Sequence, residues 1–303
     1  MENDYLERKE IGDYRITIER DDYAECPTKD WEMLGHFIWE FNDCPRGMEL
    51  SSDSDTEDLS CNPRSLEEAL KDLVCKYVSQ KNIIKYINSS ECDDLFFEYN
   101  KSDRIWSLYS YDRRTDKRSE WPLLDLRPDE YHSFDFREEI CDNLGEDDFK
   151  HLLYHYQKEI AFTEFSTCGY CQGDYADGIA YCDIERFKYL CDTDTKKWRE
   201  RAVDAMNGES KILGKWMWGD VISFTLEKKE RFTKHYENEE KADVDTFEWE
   251  VVDSCYGFYD DADELMQMVI DENDLEPKDA QPKTGSLHAP LLQTKLYRNY
   301  EGQ

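Results

Sequence analysis

Cys168-Gly169-Tyr170-Cys171 sets two thiols three positions apart, the spacing of a dithiol redox motif and of half a zinc site. A redox motif needs its first thiol at a strand-to-helix turn. Here Gln172-Gly173-Asp174 reads as a turn that leads into a strand over Gly178 to Cys182, which argues against thioredoxin-like chemistry. Zinc is the better use of these residues. His151 and His155 lie four apart on an expected helix, and all four side chains are good ligands. The order His-His-Cys-Cys inverts that of a finger, however, and such a histidine pair also reads as one partly exposed helix face. The expectation is therefore no cofactor and metal-free thiols; any metal would be held by His151, His155, Cys168 and Cys171.

Carboxylates form two further clusters. Asp53-Ser54-Asp55-Thr56-Glu57-Asp58 starts like a calcium loop but lacks the turn glycine and the closing glutamate, so it reads as a solvated linker. Asp260, Asp261, Asp263 and Glu264 could serve a metal-dependent hydrolase, but they also suit the first turn of a helix, where the dipole favours negative charge. The chain has no P-loop, no dinucleotide-binding glycine fingerprint, no H-E-x-x-H and no G-x-S-x-G. The expectation is a protein that is not an enzyme.

The chain of 303 residues carries 71 acidic and 38 basic side chains, a formal net charge of −33. Nucleic acid is bound by neutralising phosphates, so this imbalance excludes a direct nucleic-acid ligand. The same surface suits a basic groove, where carboxylates stand in for phosphates. Disorder is the other consequence of heavy charge, but 14% Phe, Trp and Tyr is too aromatic for it. No apolar run reaches roughly 18 residues and no signal-peptide pattern opens the chain, so a cytoplasmic protein without a membrane partner is expected, with most of its eleven cysteines reduced.

These clusters need elements to position them. Tyr14 to Arg20 alternates as a strand, and Asp30 to Trp39 is an aromatic core segment that fits helix or strand. Residues 49–61 read as an acidic linker. Ser65 and Glu68 form a capping box that opens a helix over 65–86. Leu95 to Tyr99 and Ile105 to Tyr111 form a hairpin, followed by a basic stretch at Arg113, Arg114, Lys117 and Arg118. Helices are expected over Asp147 to Ile160, over Thr195 to Met206 with a left-handed stop at Asn207-Gly208, and over Asp261 to Asp271. Trp218 to Leu226 and Phe247 to Asp253 read as paired strands.

The pattern is an α+β fold, mostly antiparallel sheet with several helices, as two domains or one with a helical insertion. An N-terminal α+β region covers 1–125, a second α+β domain 126–272 and a polar tail 273–303. Candidate partner contacts are Asp53, Asp55, Glu57, Asp58, Asp260, Asp261, Asp263 and Glu264, with Leu292 and Tyr297 in the tail.

Ile16 to Glu19, Asp30-Trp31-Glu32-Met33-Leu34-Gly35, Gln172-Gly173-Asp174, Trp218-Gly219-Asp220-Val221 and Asp253-Ser254-Cys255-Tyr256-Gly257-Phe258-Tyr259 resemble a family of small acidic proteins encoded by phages and mobile elements. The likeness runs as short islands from Ile16 to about Leu265. The chain departs from it by a longer insertion after Cys44 and by Cys171 where relatives carry Ser or Asp. In size and acidity it resembles the phage anti-defence inhibitors of the Gabija nuclease-helicase system. That resemblance implies a non-enzymatic homo-oligomer that surrounds host defence nuclease-helicase proteins in the host cytoplasm and prevents DNA binding and cleavage. It transfers no residue roles. The alternatives are a zinc-stabilised regulatory module and a carboxylate-based hydrolase.

Overall fold

A computed structural model of the chain describes residues 5–41, 49–50, 53–59, 62–112, 114–127, 133–166, 178–191, 195–234 and 244–275. In chain order its elements are β1 (Tyr5–Ile11), β2 (Tyr14–Arg20), α1 (Pro27–Asp30), β3 (His36–Phe41), β4 (Glu49–Leu50), α2 (Leu66–Tyr77), α3 (Gln80–Ile87), β5 (Leu95–Asn100), β6 (Ile105–Asp112), β7 (Lys117–Arg118), β8 (Leu124–Leu126), α4 (Ser133–Cys141), α5 (Glu146–His155), β9 (Ile160–Phe165), β10 (Gly178–Asp183), α6 (Ile184–Leu190), α7 (Trp198–Trp218), β11 (Ile222–Lys234), β12 (Val244–Phe258) and α8 (Ala262–Glu272). Helices and antiparallel sheets together make an α+β fold. No helix among the described residues is long and apolar enough to cross a membrane.

The chain forms two compact units. The first comprises residues 1–18, 224–254 and 262–303, the second 19–223 and 255–261. The division expected at 125/126 falls inside the second unit, where Leu108 and Leu126 share a core with Phe136 and Ile140. In the first unit the strands lie in the order β1-β2-β11-β12, so strands from the two ends of the chain are neighbours. Its buried apolar residues include Ile16, Ile18, Phe224 and Leu226, with Leu265, Met266, Val269 and Ile270 along α8 at helical spacing.

The second unit contains the sheet β4-β3-β10-β9 and, apart from it, β5-β6-β7 with β8 on β6. Successive residues of β3 enter different cores. Ile38 joins one with Leu70, Leu73, Ile83, Phe149 and Leu152, while Phe37 and Trp39 join another with Met206, Leu213 and Met217. Tyr181 and Cys182 on β10 divide in the same way. This sheet is buried on both faces, which is why Asp30 to Trp39 lacks a clean alternation in sequence. Gly178 sits opposite Trp39, and a Cβ there would come within 2.5 Å of the Ile38 carbonyl oxygen.

Several expected boundaries move. The helix expected over 65–86 is two: Ser65 caps α2, then Val78 is extended and Ser79 caps α3 by accepting from the Asn82 N–H at 3.3 Å. The helix expected to end at Asn207-Gly208 runs on to Trp218, because Ala202, Met206, Ser210, Leu213 and Met217 stay buried along one face; the left-handed stop is Gly219, with φ 72°. Tyr156 closes α5, and Ile160 already belongs to β9. Residues 49–61 are more than a linker: Glu49–Leu50 pairs with β3, and Leu59 is buried in the first core.

Candidate functional site

The acidic segment 53–59 lies along β3 because its backbone and side chains find partners there. The Asp55 N–H donates to the Phe37 carbonyl at 2.7 Å, and Ser54 Oγ accepts from the Trp39 N–H at 3.3 Å. Thr28 donates to the Asp53 carbonyl at 3.0 Å, Lys29 pairs with the Asp53 carboxylate, and Lys76 donates to the Asp58 carbonyl.

At the centre is His36, 7% exposed, a residue the sequence reading did not single out. Its Nδ1 is 2.6 Å from Asp55 Oδ2 and its Nε2 is 2.8 Å from Asp58 Oδ2. The imidazolium form satisfies both carboxylates with its two N–H donors. A catalytic histidine keeps one ring nitrogen for the reacting group. With both occupied, His36 ties down two carboxylates instead. Its ring stacks on Tyr181 at 5.0 Å, and the Tyr181 hydroxyl, buried, has no partner among the described residues. Burial, then Asp58, raises the pKa of that hydroxyl; burial, then Asp183 and Asp58, pushes Tyr77 up to about 12. Of the four acidic candidates here, Asp53, Asp55 and Asp58 are thus engaged within the unit, and Glu57 faces solvent.

The other candidates do not gather into one site. His151 and His155 do lie together on α5, ring centroids 4.6 Å apart. His151 Nε2 is 3.2 Å from Glu91, whose carboxylate also accepts from the Tyr156 hydroxyl at 2.7 Å, and its ring stacks on Tyr86. The Tyr156 hydrogen bond, followed by His151, holds Glu91 below the usual carboxylate range. Cys168 and Cys171 lie outside the described residues, as do Leu292 and Tyr297. Among the described residues no group of three or more His, Cys, Asp or Glu is placed to hold a metal ion. Asp263 and Glu264 occupy the first turn of α8; Asp261, 81% exposed, is 3.4 Å from Lys215 Nζ.

Of the buried thiols of the second unit, Cys26, Cys141 and Cys182 are held as poor nucleophiles, whereas the hydrogen bond with Cys141 lowers the pKa of Cys75. Burial pushes Cys182 up to about 12 and raises Cys26, while a hydrogen bond with Cys75, then burial, holds Cys141 well above the ordinary thiol range. An open cavity of about 350 Å³ lies among Tyr154, Phe162, Arg199, Val203 and Asp204. Gln157 at its edge is committed to the backbone of Leu153, Glu159 and Ile160.

Comparison of the chain with family models, curated proteins and solved structures finds no match.

Proposed function

We propose that this protein is a phage-encoded stoichiometric inhibitor that binds a host anti-phage nuclease-helicase of the Gabija type and blocks its DNA binding or cleavage. The observation that carries the reading is the net charge of −33. A nuclease-helicase must present cations to phosphates, and an acidic protein surface occupies the same groove without being a substrate. Exposed carboxylates that suit this role are Glu57, Asp261, Asp263 and Glu264. The clamp at His36 supports it by fixing the segment from which Glu57 projects, so that less ordering is needed on binding. The resemblance to phage anti-defence proteins supplies the class of target and adds that the inhibitor works as a homo-oligomer.

Titrating the protein into a nuclease-helicase cleavage reaction on duplex DNA tests this. Inhibition should saturate at a fixed molar ratio, and the protein alone should leave duplex DNA unshifted at about 0.15 M salt. Complete inhibition at a small fraction of the target concentration would instead indicate an enzyme, and sub-micromolar binding to free DNA would remove the electrostatic premise.

A further inference from the structure

β12 ends the sheet of the first unit, and over 246–254 little of it is covered. β11 pairs with one of its edges, and among the described residues no strand pairs with the other. Half of the backbone N–H and C=O groups along such an edge point away from the sheet. The side chains are open as well. Val251 is 57% exposed and Val252 48%, and successive residues of a strand point to opposite faces, so neither face of β12 is closed there. Phe247 is 45% exposed on the Val251 side. Between these lie the exposed carboxylates Glu248, Glu250 and Asp253, with no Lys or Arg from 246 to 254. A long apolar edge invites pairing, and the carboxylates decide with what. A second β12 would set like charges opposite one another, which opposes pairing between copies, whereas a strand bearing cations is favoured.

The chain itself supplies such a strand. Residues 280–300 form its longest stretch without a carboxylate, and within them Leu291, Leu292, Leu296, Tyr297 and Tyr300 alternate with the cations Lys295 and Arg298. We propose that residues 291–300 dock along the open edge of β12 and add a strand to this sheet within the same molecule. The lengths agree: 291–300 extended cover about 33 Å, and 244–254, the part of β12 in the first unit, about 36 Å. The connection reaches, since α8 belongs to the same unit, Leu275 is the last described residue, and 276–290 span up to about 50 Å. The alternation agrees too. As a strand, 291–300 would place Lys295 on one face with Leu291 and Tyr297, and Arg298 on the other with Leu292, Leu296 and Tyr300. β12 has the same make-up, with Asp253 beside Phe247 and Val251 on one face, and Glu248 and Glu250 beside Val252 on the other. Each face therefore offers a cation to a carboxylate and apolar side chains to apolar side chains. Pro290, which has no N–H, stands just before the strand, where no ladder bond is asked of it. A segment tethered to the same chain acts at an effective concentration on the order of millimolar, which favours it over the tail of a second copy.

Docking needs no target protein, so the isolated full-length chain tests it apart from the inhibitor reading. Hydrogen exchange read by mass spectrometry compares wild type, the full-length variant Lys295→Glu/Arg298→Glu, whose charges turn against β12, and a chain ending at Ala289. Backbone amides of 246–254 should exchange at least about 10-fold faster in both variants than in wild type. Those of 14–18 in β2, which has a strand on each side, should keep their rates. A synthetic peptide of residues 288–303 added to the shortened chain should restore slow exchange, and the same peptide carrying both substitutions should not. Exchange of 246–254 in the double variant equal to that of wild type would overturn the docking, and because this variant keeps the whole chain it decides even where the shortened chain fails to fold. A folded shortened chain that the wild-type peptide leaves unprotected would overturn it as well. Protection of 246–254 in wild type that grows as protein concentration rises over about a 100-fold range would give the edge to a second copy and overturn docking within one molecule.

Discussion

The two units are stabilised differently. In the second, β3 and β10 divide their side chains between two apolar cores, which commits Phe37, Ile38, Trp39, Ile179, Ala180, Tyr181 and Cys182 to packing. In the first, much of the sheet's contact lies near solvent. Arg15 bonds Glu227 through two nitrogens and stands 4.5 Å over the Trp249 ring, Lys229 sits 3.8 Å over Phe247, and Arg8 sits 4.1 Å over Tyr5. Phe247, Val251 and Val252 of β12 remain exposed. Residues already committed to a core cannot also be spent on a partner, so side chains free for recognition are to be sought on surfaces such as these and the β5-β6-β7 face.

The largest effect should come from emptying a core position. Trp39 is fully buried at the centre of β3, and Trp39→Ala should cost the second unit about 3–5 kcal/mol. Native-state hydrogen exchange at β10 amides is the measurement; a loss below about 1 kcal/mol would show that the sheet is not the centre of this unit. A smaller effect is expected where a side chain is added. Gly178→Ala drives a methyl toward the Ile38 carbonyl and the Phe165 ring, which must shift at a cost of about 1–3 kcal/mol. A denaturation midpoint equal to wild type would mean that β10 moves without resistance.

Some of this was legible in the sequence, and the misses have physical causes. The Ser65 cap, the hairpin at 95–111 and the apolar stripe of α8 depend on neighbours a few residues away, and each forms, although the capping box is only half made: Ser65 accepts the Glu68 N–H, while the Glu68 carboxylate accepts the N–H of Arg64 at 2.6 Å. The break at Ser79 was hidden because apolar spacing continues on both sides of it. Asn207-Gly208 looked like a stop because Gly costs a helix about 1 kcal/mol, a penalty that burial of Met206, Leu213 and Met217 outweighs. The acidic character of 53–58 was plain. That His36 would consume Asp55 and Asp58 was not, since it requires β3 to fold beside a segment whose composition alone suggests solvent.

Glu209 sharpens the comparison through pH. From α7 its carboxylate accepts the N–H groups of Leu34 at 2.6 Å and Gly35 at 2.9 Å, yet burial raises its pKa above the ordinary 4.5. The folded state therefore holds this proton more tightly than the unfolded state. Its contribution is fully present below pH 4.5 and is lost as the pH rises through the raised value. Wild type should thus lose stability relative to Glu209→Gln as the pH climbs through that window, by less than either core substitution. Parallel stability curves for the two proteins would show that the carboxylate ionises in the fold as it does in water.

The smallest effect should come from the surface of the first unit. Arg15 lies on β2 between Glu227 and the Trp249 ring, and both neighbours raise the question of whether charge or shape holds the sheet face together. Arg15→Met keeps an apolar stem over Trp249 but removes two hydrogen bonds and the cation. The Arg15 and Glu227 side chains are 20% and 15% exposed, so the pair is only partly screened, and the guanidinium pKa is raised chiefly by its hydrogen bond to Glu227. Loss of the pair leaves the Glu227 carboxylate half-buried without its cation, which adds to the cost. The expected destabilisation is about 1 kcal/mol, and Arg15→Lys should recover less than half of it, because an ammonium can neither make the two-nitrogen contact nor lie flat on the indole. Chemical denaturation followed by circular dichroism reads both variants. A loss as large as that from Trp39→Ala would erase the contrast between the units, since the surface of the first would then bear as much of its stability as the packed interior does in the second.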